Sequence, residues 1–298
     1  MSELINPVGP EANNRRAREF EDQVVEFAAA LGWEARCRNI DLYHTTGEQS
    51  AGVDVLLAFD DPQLGLREGI IGEAKIRHPL RPGAAREEIA LLARKLGKLG
   101  SVIGKLDLAE DLVVTRTGLL VYDVAPYDPA RHSEGLSAIQ QDGLSRAYWP
   151  PEILVLAPDT LIGLADCLDV KSSPRFFWPP FDQRPGEWGS CAPPHQVAAG
   201  MLAFCSGGTV TLWLRDELDH DEDFTALSTI AWEWRINIDR IVCSSVKQDR
   251  YMTVVDRWRK QAEQASRREV GKLPDAIQAR GLSFGSLTVF NDRWGVAA

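Results

Sequence analysis

Asp54, Glu73 and Lys75 are the residues whose types and spacing suit chemistry, and all three fall in the stretch 51–79, AGVDVLLAFDDPQLGLREGIIGEAKIRHP. Hydrolysis of a phosphodiester calls for a divalent cation that neutralises phosphate charge and makes a water nucleophilic, and Mg2+ takes oxygen ligands through one or two carboxylates. Asp54 and Glu73 supply two. Lys75, two residues after Glu73, is placed to orient or help deprotonate the attacking water, or to stabilise developing negative charge. A purely structural Lys75–Glu73 ion pair is the bland alternative. Asp54 resists that reading, because an unpaired carboxylate facing into an apolar strand is costly.

These residues need rigid elements to hold them. GVDVLLAF, 52–59, is a nearly continuous apolar run of strand length, and GIIGEAKIR, 69–77, is a second strand after the loop DDPQLGLRE. Side chains two apart on a strand point the same way, so Ile71, Glu73 and Lys75 share one face. Upstream, RRAREFEDQVVEFAAALG carries Phe20, Val24, Phe27 and Leu31 at three- and four-residue spacing. That is an amphipathic helix, ended by Gly32, with Glu21 beside its buried face. WEARCRNI, 33–40, alternates as a strand. Downstream, 84–104 repeats Ile89, Leu92, Leu96 and Leu99 as a helical stripe, and its other face carries cations.

The remaining chain reads as alternating elements. DLVVT (111–115) and GLLVYDV (118–124) suit an antiparallel strand pair, with a short helix at 134–146 and a strand EILVLAP at 152–158. Residues 1–14, with two prolines and no apolar period, read as a flexible lead-in. Residues 169–194 are rich in Pro and aromatics (FFWPPF within them) and read as a linker or ordered loop. Beyond it, HQVAAGMLAFCS and FTALSTIAWEWRI look helical, TVTLWLRDE and DRIVCSS strand-like, then a long basic helix from Asp249 and a closing strand LSFGSLTVF.

Composition excludes several classes. Hydrophobic residues at 44% and charged residues at 26% describe a folding globular chain. No run of 18 apolar residues exists for a membrane span, and the N-terminus lacks a signal-peptide core, so a cytoplasmic location without membrane is expected. Five scattered cysteines without a CxxC spacing indicate neither a disulfide framework nor a zinc site. The net charge of −10 argues against an indiscriminate polyanion binder. Yet 77–105 holds seven cations against two acids, so Arg77, Arg86, Arg94, Lys95 and Lys98 are candidate phosphate contacts, with a solvated face as the alternative. DELDHDED (216–223) lacks calcium-loop spacing, and Cys191 and His195 have no nearby acid for a nucleophilic dyad. FFWPPF could stack bases, although filling an interface suits it better.

Taken together, FEDQVVEFAAALGW, GVD and EAK in this order resemble the PD-(D/E)XK nuclease superfamily and, within it, the Mrr-like restriction endonuclease branch. The resemblance covers roughly 15–125. It implies Asp54, Glu73 and the helix acid Glu21 as ligands of Mg2+ (or Mn2+), Lys75 as the catalytic lysine, and Gly52 as the small residue near the aspartate. Val53 stands where the motif has proline, and Glu73 where the Mrr-like form has glutamine. The expected fold is α/β, a restriction-endonuclease-like core (central mixed sheet flanked by helices) plus a second smaller α/β or α+β domain. The expected division is 1–14 lead-in, 15–168 nuclease-like domain, 169–194 linker and 195–298 C-terminal domain. The resemblance implies a Mg2+-dependent nuclease acting on DNA in bacterial restriction or anti-phage defence; no nucleotide cofactor is expected, the net charge of −10 with one basic strip points to a partner subunit, and cutting both strands with a single metal site to a homodimer. The alternative is a non-catalytic nuclease-like subunit that scaffolds a complex or binds nucleic acid.

Overall fold

The structure is a computed structural model that describes residues 10–43, 50–77, 87–93, 96, 111–112, 117–124, 152–156, 158–168, 173–215, 221–245 and 277–281. It is an α/β arrangement of two mixed sheets flanked by helices. The first sheet has five strands in sequential order: β1 (Glu34–Tyr43), β2 (Ser50–Asp61), β3 (Leu66–Arg77), β4 (Thr117–Val124) and β5 (Glu152–Leu156). β1, β2 and β3 are antiparallel neighbours, whereas β3, β4 and β5 run parallel. A parallel neighbour requires a crossover, and the helical residues 87–93 fall in the one between β3 and β4.

Each face of this sheet is covered by a different helix. Helix α1 (Pro10–Ala30) buries Phe20, Val24 and Phe27, with Leu31 just past its end, against Val55, Leu57, Ile70, Leu119 and Val121. Ile89, Leu92 and Leu96 bury against Leu56, Ala58, Ile71, Leu120 and Tyr122 on the other face. Gly118 allows the close approach there, since a Cβ on it would come within 2.7 Å of a Leu96 methyl carbon. α1 begins with a proline at its first position, where the missing N–H costs nothing, and closes in a Schellman turn. Trp33 N donates to Ala28 O and Gly32 N to Ala29 O, with Gly32 at φ 77°.

The second sheet has the order β11-β10-β9-β8-β6-β7. Its strands are β6 (Arg175–Trp178), β7 (Glu187–Gly189), β8 (Met201–Ser206), β9 (Thr209–Leu214), β10 (Arg240–Ser245) and β11 (Ile277–Gly281). Three helices accompany it: α2 (Pro158–Cys167), α3 (Pro194–Ala199) and α4 (Asp221–Trp234). Leu227 and Ala231 of α4 cover Leu212, Leu214, Ile241 and Cys243 on one face. The opposite face joins the core under the first sheet: Phe176, Trp178, Phe204, Trp213 and Val242 share one cluster with Phe27, Leu57 and Val121. Trp178 stacks on Phe59 of β2 with centroids 6.0 Å apart. Buried indoles pin this junction, Trp33 donating to Ala192 O and Trp178 to Cys191 O, both at 2.8 Å.

Several sequence expectations change here. The run expected as a linker, 169–194, contributes β6 and β7, and the core continues through it, because Phe176 and Trp178 bury their rings between the sheets while Phe177 buries on the α4 side. A division between domains at this run would cut one hydrophobic cluster in two. HQVAAGMLAFCS is helical only to Ala199: Gly200 takes φ 77°, and MLAFCS continues as β8. Asp111 and Leu112 form a turn and bend rather than a strand, and β4 pairs in parallel with its neighbours. α2 was not expected, because PDTLIGLADC is short and follows an apolar strand without a break. The helices expected at 134–146 and from Asp249, and the closing strand LSFGSLTVF, lie outside the described residues.

Candidate active site

β2 and β3 form because nearly every residue between Val53 and Phe59, and between Gly69 and Glu73, is buried by one core or the other. Their register runs from Asp61↔Leu66 to Val55↔Gly72. At the next step Asp54 substitutes its side chain for the ladder, and its Oδ2 accepts the backbone N–H of Ala74 at 2.9 Å. Gly72 lets the strands close up before they part, since a Cβ there would meet Val55 Cγ1 at 2.5 Å. The two-residue period then decides direction. Ile71 faces Ile89, Leu92 and Leu96, so Glu73 and Lys75 point to that side too, and Asp54 follows Leu56 to the same side.

The result is a tight trio. Lys75 Nζ donates to Glu73 Oε2 at 2.8 Å and to Asp54 Oδ2 at 3.0 Å. Glu73 is nearly sealed, with 4% of its side chain exposed, whereas Lys75 and Asp54 keep 22% and 19%. The group therefore has a dry floor and a wet rim. Burial alone would lower the Lys75 pKa, but the Glu73 and Asp54 charges and hydrogen bonds outweigh it, and the net shift is upward from 10.5. Lys75 is thus an ammonium at neutral pH in this state. It can donate hydrogen bonds and offset negative charge, but it cannot take a proton until its carboxylate partners are engaged elsewhere.

Glu21 stands apart from the trio. It lies on α1, which covers the opposite face of the sheet, and its Oε2 accepts from Asn39 Nδ2 at 2.9 Å. Asn39 has φ 48° and falls between the pairs Arg38↔Val55 and Ile40↔Val53, directly across from Asp54. Asparagine tolerates this left-handed backbone better than most residues, and the turn aims its amide at α1. Asn39 was not singled out from the sequence; an asparagine inside an alternating strand was the available signal. The rim of α1 beside it is acidic. Asp22 pairs with Arg38 at 2.5 Å, and Glu26 has its pKa raised, first by burial and then by the Asp22 charge.

Two carboxylates, with no third acid among the described residues beside them, make the cation question specific. Among the described residues no group of three or more His, Cys, Asp or Glu is arranged to hold a metal. The donors present are hard oxygens, which fit Mg2+ held through two carboxylates with waters completing the shell, and do not fit a closed zinc site. Both bonds to Asp54 fall on Oδ2, so Oδ1 is the oxygen it can offer. The remaining candidates divide simply. Arg77 ends β3; its side chain, with Arg86, Arg94, Lys95 and Lys98, lies outside the described residues. Cys191 is buried with its thiol on Gly32 O at 3.0 Å, and His195 is exposed on α3, so they form no dyad. Residues 221–223 of the acidic run open α4, and 216–220 lie outside the described residues.

No family model matches the sequence, and no curated protein matches it either. Among solved structures, the MspJI Restriction Endonuclease in Complex with 27-mer Oligonucleotide matches with a TM-score of 0.24 and 17% sequence identity, over 54% of this chain and 34% of that one. This chain thus spans about a third of that protein. At that TM-score the likeness carries no argument about activity. No helix among the described residues is long and apolar enough to cross a membrane.

Proposed function

We propose that this protein is a Mg2+-dependent nuclease that hydrolyses DNA phosphodiester bonds, with Asp54 and Glu73 as metal ligands and Lys75 as the catalytic lysine. The observation that carries this reading is the convergence of Lys75 Nζ on both carboxylates where β2 and β3 part. A pair of opposite charges held only for stability needs one carboxylate; two carboxylates on one ammonium make a site for exchangeable cations. When bound, Mg2+ would supply charge neutralisation and a more acidic water. The chain's own part is then positional. Glu73, with 4% of its side chain exposed, fixes the floor; Asp54, pinned by Ala74 N–H, fixes the wall. Lys75, released from the carboxylates, turns its ammonium to the water or the phosphate. Glu21, held by Asn39 on the opposite face of the sheet, is left out of this ligand set. Restriction or anti-phage defence is the setting we propose.

Plasmid and linear DNA incubated with Mg2+, with EDTA, and with Asp54→Ala or Lys75→Ala tests the assignment. Cleavage that needs Mg2+ and disappears in both variants is expected. Cleavage surviving both substitutions would sink the site assignment. One observation favours a second reading, a non-catalytic nuclease-like subunit: the two carboxylates are already satisfied by Lys75. The absence of cleavage under every condition, with retained DNA binding, would select it.

A further inference from the structure

A cavity of about 620 Å³ opens on the second sheet, far from Asp54, and lies within the size range of small-ligand sites. Its walls include Phe181, Trp188 and Trp234, with Phe177 as the floor, at centroid distances of 5.2 Å from Trp188 and 5.4 Å from Trp234. Phe181 is 70% exposed, an unusual position for a large aromatic ring. The mouth is framed by two tight turns. Phe181 and Arg184 exchange backbone hydrogen bonds around Asp182 and Gln183, and α4 ends in a Schellman turn with Ile236 N on Ala231 O and Arg235 N on Trp232 O.

Both turns want glycine or asparagine at their left-handed positions, and neither has one. Asp182 (φ 45°), Gln183 (φ 62°) and Arg235 (φ 55°) are three of the five non-glycine residues with positive φ among the described residues, and all three line this cavity. Side chains kept where glycine would be cheaper are a mark of function. Among the described residues none of the three makes a side-chain hydrogen bond or ion pair, so no internal side-chain contact accounts for them. The rim is also held from outside. Gln63 Nε2 donates to Pro179 O at 2.7 Å and to Pro185 O at 3.1 Å, and Arg184 donates to Gln63 O.

We propose that this cavity binds an unstacked nucleobase of a nucleic-acid strand, a reading that rests on nucleic acid being the substrate. The aromatic walls offer stacking faces, which every base can use. The Gln183 amide, the Asp182 and Glu233 carboxylates and the Arg235 guanidinium are the groups that read base edges. Asp182 and Glu233 balance Arg184 and Arg235, so the lining selects neither a cation nor a bare polyanion; a neutral planar ring with a polar edge fits it. Gln63 sits in the turn joining β2 to β3, whose far ends carry Asp54 and Glu73. Base pocket and trio therefore lie at opposite ends of one hairpin, roughly 20 Å apart at strand rise.

The test uses the full chain in EDTA, titrated with a single-stranded oligonucleotide of about 12 nucleotides, long enough to span that distance, and with an abasic strand of equal length. Anisotropy and tryptophan fluorescence report binding. The base-bearing strand should bind at least about 5-fold tighter, as one stacked base implies, and Phe181→Ala should remove most of that preference. Gln183→Gly and Arg235→Gly should each raise the melting midpoint by about 2 °C while weakening base-dependent binding. Equal binding of both strands, unchanged preference in Phe181→Ala, or glycine variants that stabilise without loss of binding would each overturn the proposal. Base-dependent binding without Mg2+-dependent cleavage would keep the pocket and remove the nuclease, and cleavage without base preference would do the reverse.

Discussion

Replacing Lys75 by methionine isolates what its ammonium does between the two carboxylates. Methionine keeps most of the aliphatic stem, so the loss is chiefly charge and hydrogen bonds. Breaking a fully buried pair costs about 3–5 kcal/mol and an exposed one about 0–1 kcal/mol. Glu73 is 4% exposed while Lys75 and Asp54 keep about a fifth of their surface. An intermediate cost of about 2–3 kcal/mol follows, equivalent to a midpoint about 5 °C lower or more. Thermal and urea denaturation in EDTA measure it. The Lys75 pKa is raised in the folded state, so its stabilisation is fully present below the unfolded value near 10.5 and is lost as pH rises through the higher folded value. The gap between wild type and Lys75→Met should therefore stay flat from neutral pH to about pH 10 and narrow above it. Mg2+ at one hundred times its dissociation constant for the variant should stabilise the variant by about 2.7 kcal/mol, and the wild type by less, because there the ammonium competes. A variant within about 0.5 kcal/mol of wild type, with the same response to Mg2+, would refute the reasoning.

Three further substitutions and one dissection test the frame around the site. Gly72→Ala forces a Cβ to 2.5 Å from Val55 Cγ1, and should cost about 1–3 kcal/mol in urea unfolding and reduce any cleavage, since Glu73 follows directly. Gly32→Ala places a Cβ 2.2 Å from Ser190 O in a left-handed backbone, and a melting midpoint lowered by several degrees is the expected reading. Asp61→Ala removes the acceptor for Gln63 N and Leu64 N, so a loss of about 1 kcal/mol and a looser hairpin turn in amide exchange should follow. Expressing 1–168 and 169–298 separately should give fragments that bind a hydrophobic dye and lack near-ultraviolet dichroism, because both would expose the shared core; two natively folded fragments would show that the sheets do not depend on one another.

The local elements around the trio were legible because strand and helix periods are written in the side chains. Val24 and Phe27 on α1 and Leu31 just past its end, the apolar runs of β2 and β3, and Ile89, Leu92 and Leu96 all bury as their spacing demands. The two-residue period also placed Glu73 and Lys75 on one face. Misreadings fell where a local signal was weak. MLAFCS could not be told from a continuing helix without knowing that Gly200 turns left-handed, and DLVVT carried strand propensity although its first residues form a turn. FFWPPF was read as loop from its prolines, whereas burial dominates the behaviour of its first three residues, Phe176 and Trp178 between the two sheets and Phe177 on the α4 side.

The sequence by itself determined which segments are apolar on which side, and with that the chemistry available: two carboxylates and one amine within 22 residues. Only the tertiary structure decided how they meet. The end of the β2–β3 register brings Asp54 to Ala74 and Lys75, because hydrogen-bonded strands must part somewhere and a carboxylate can complete the ladder there. The same contacts put Glu21 across the sheet, on a helix whose apolar stripe fixes its face. The second sheet, unread as a partner in the sequence, closes the core beneath the first and holds a cavity whose three strained residues no linear pattern links. Spacing along a chain encodes which way side chains point; which faces then press together is settled by long-range burial, which no single segment contains.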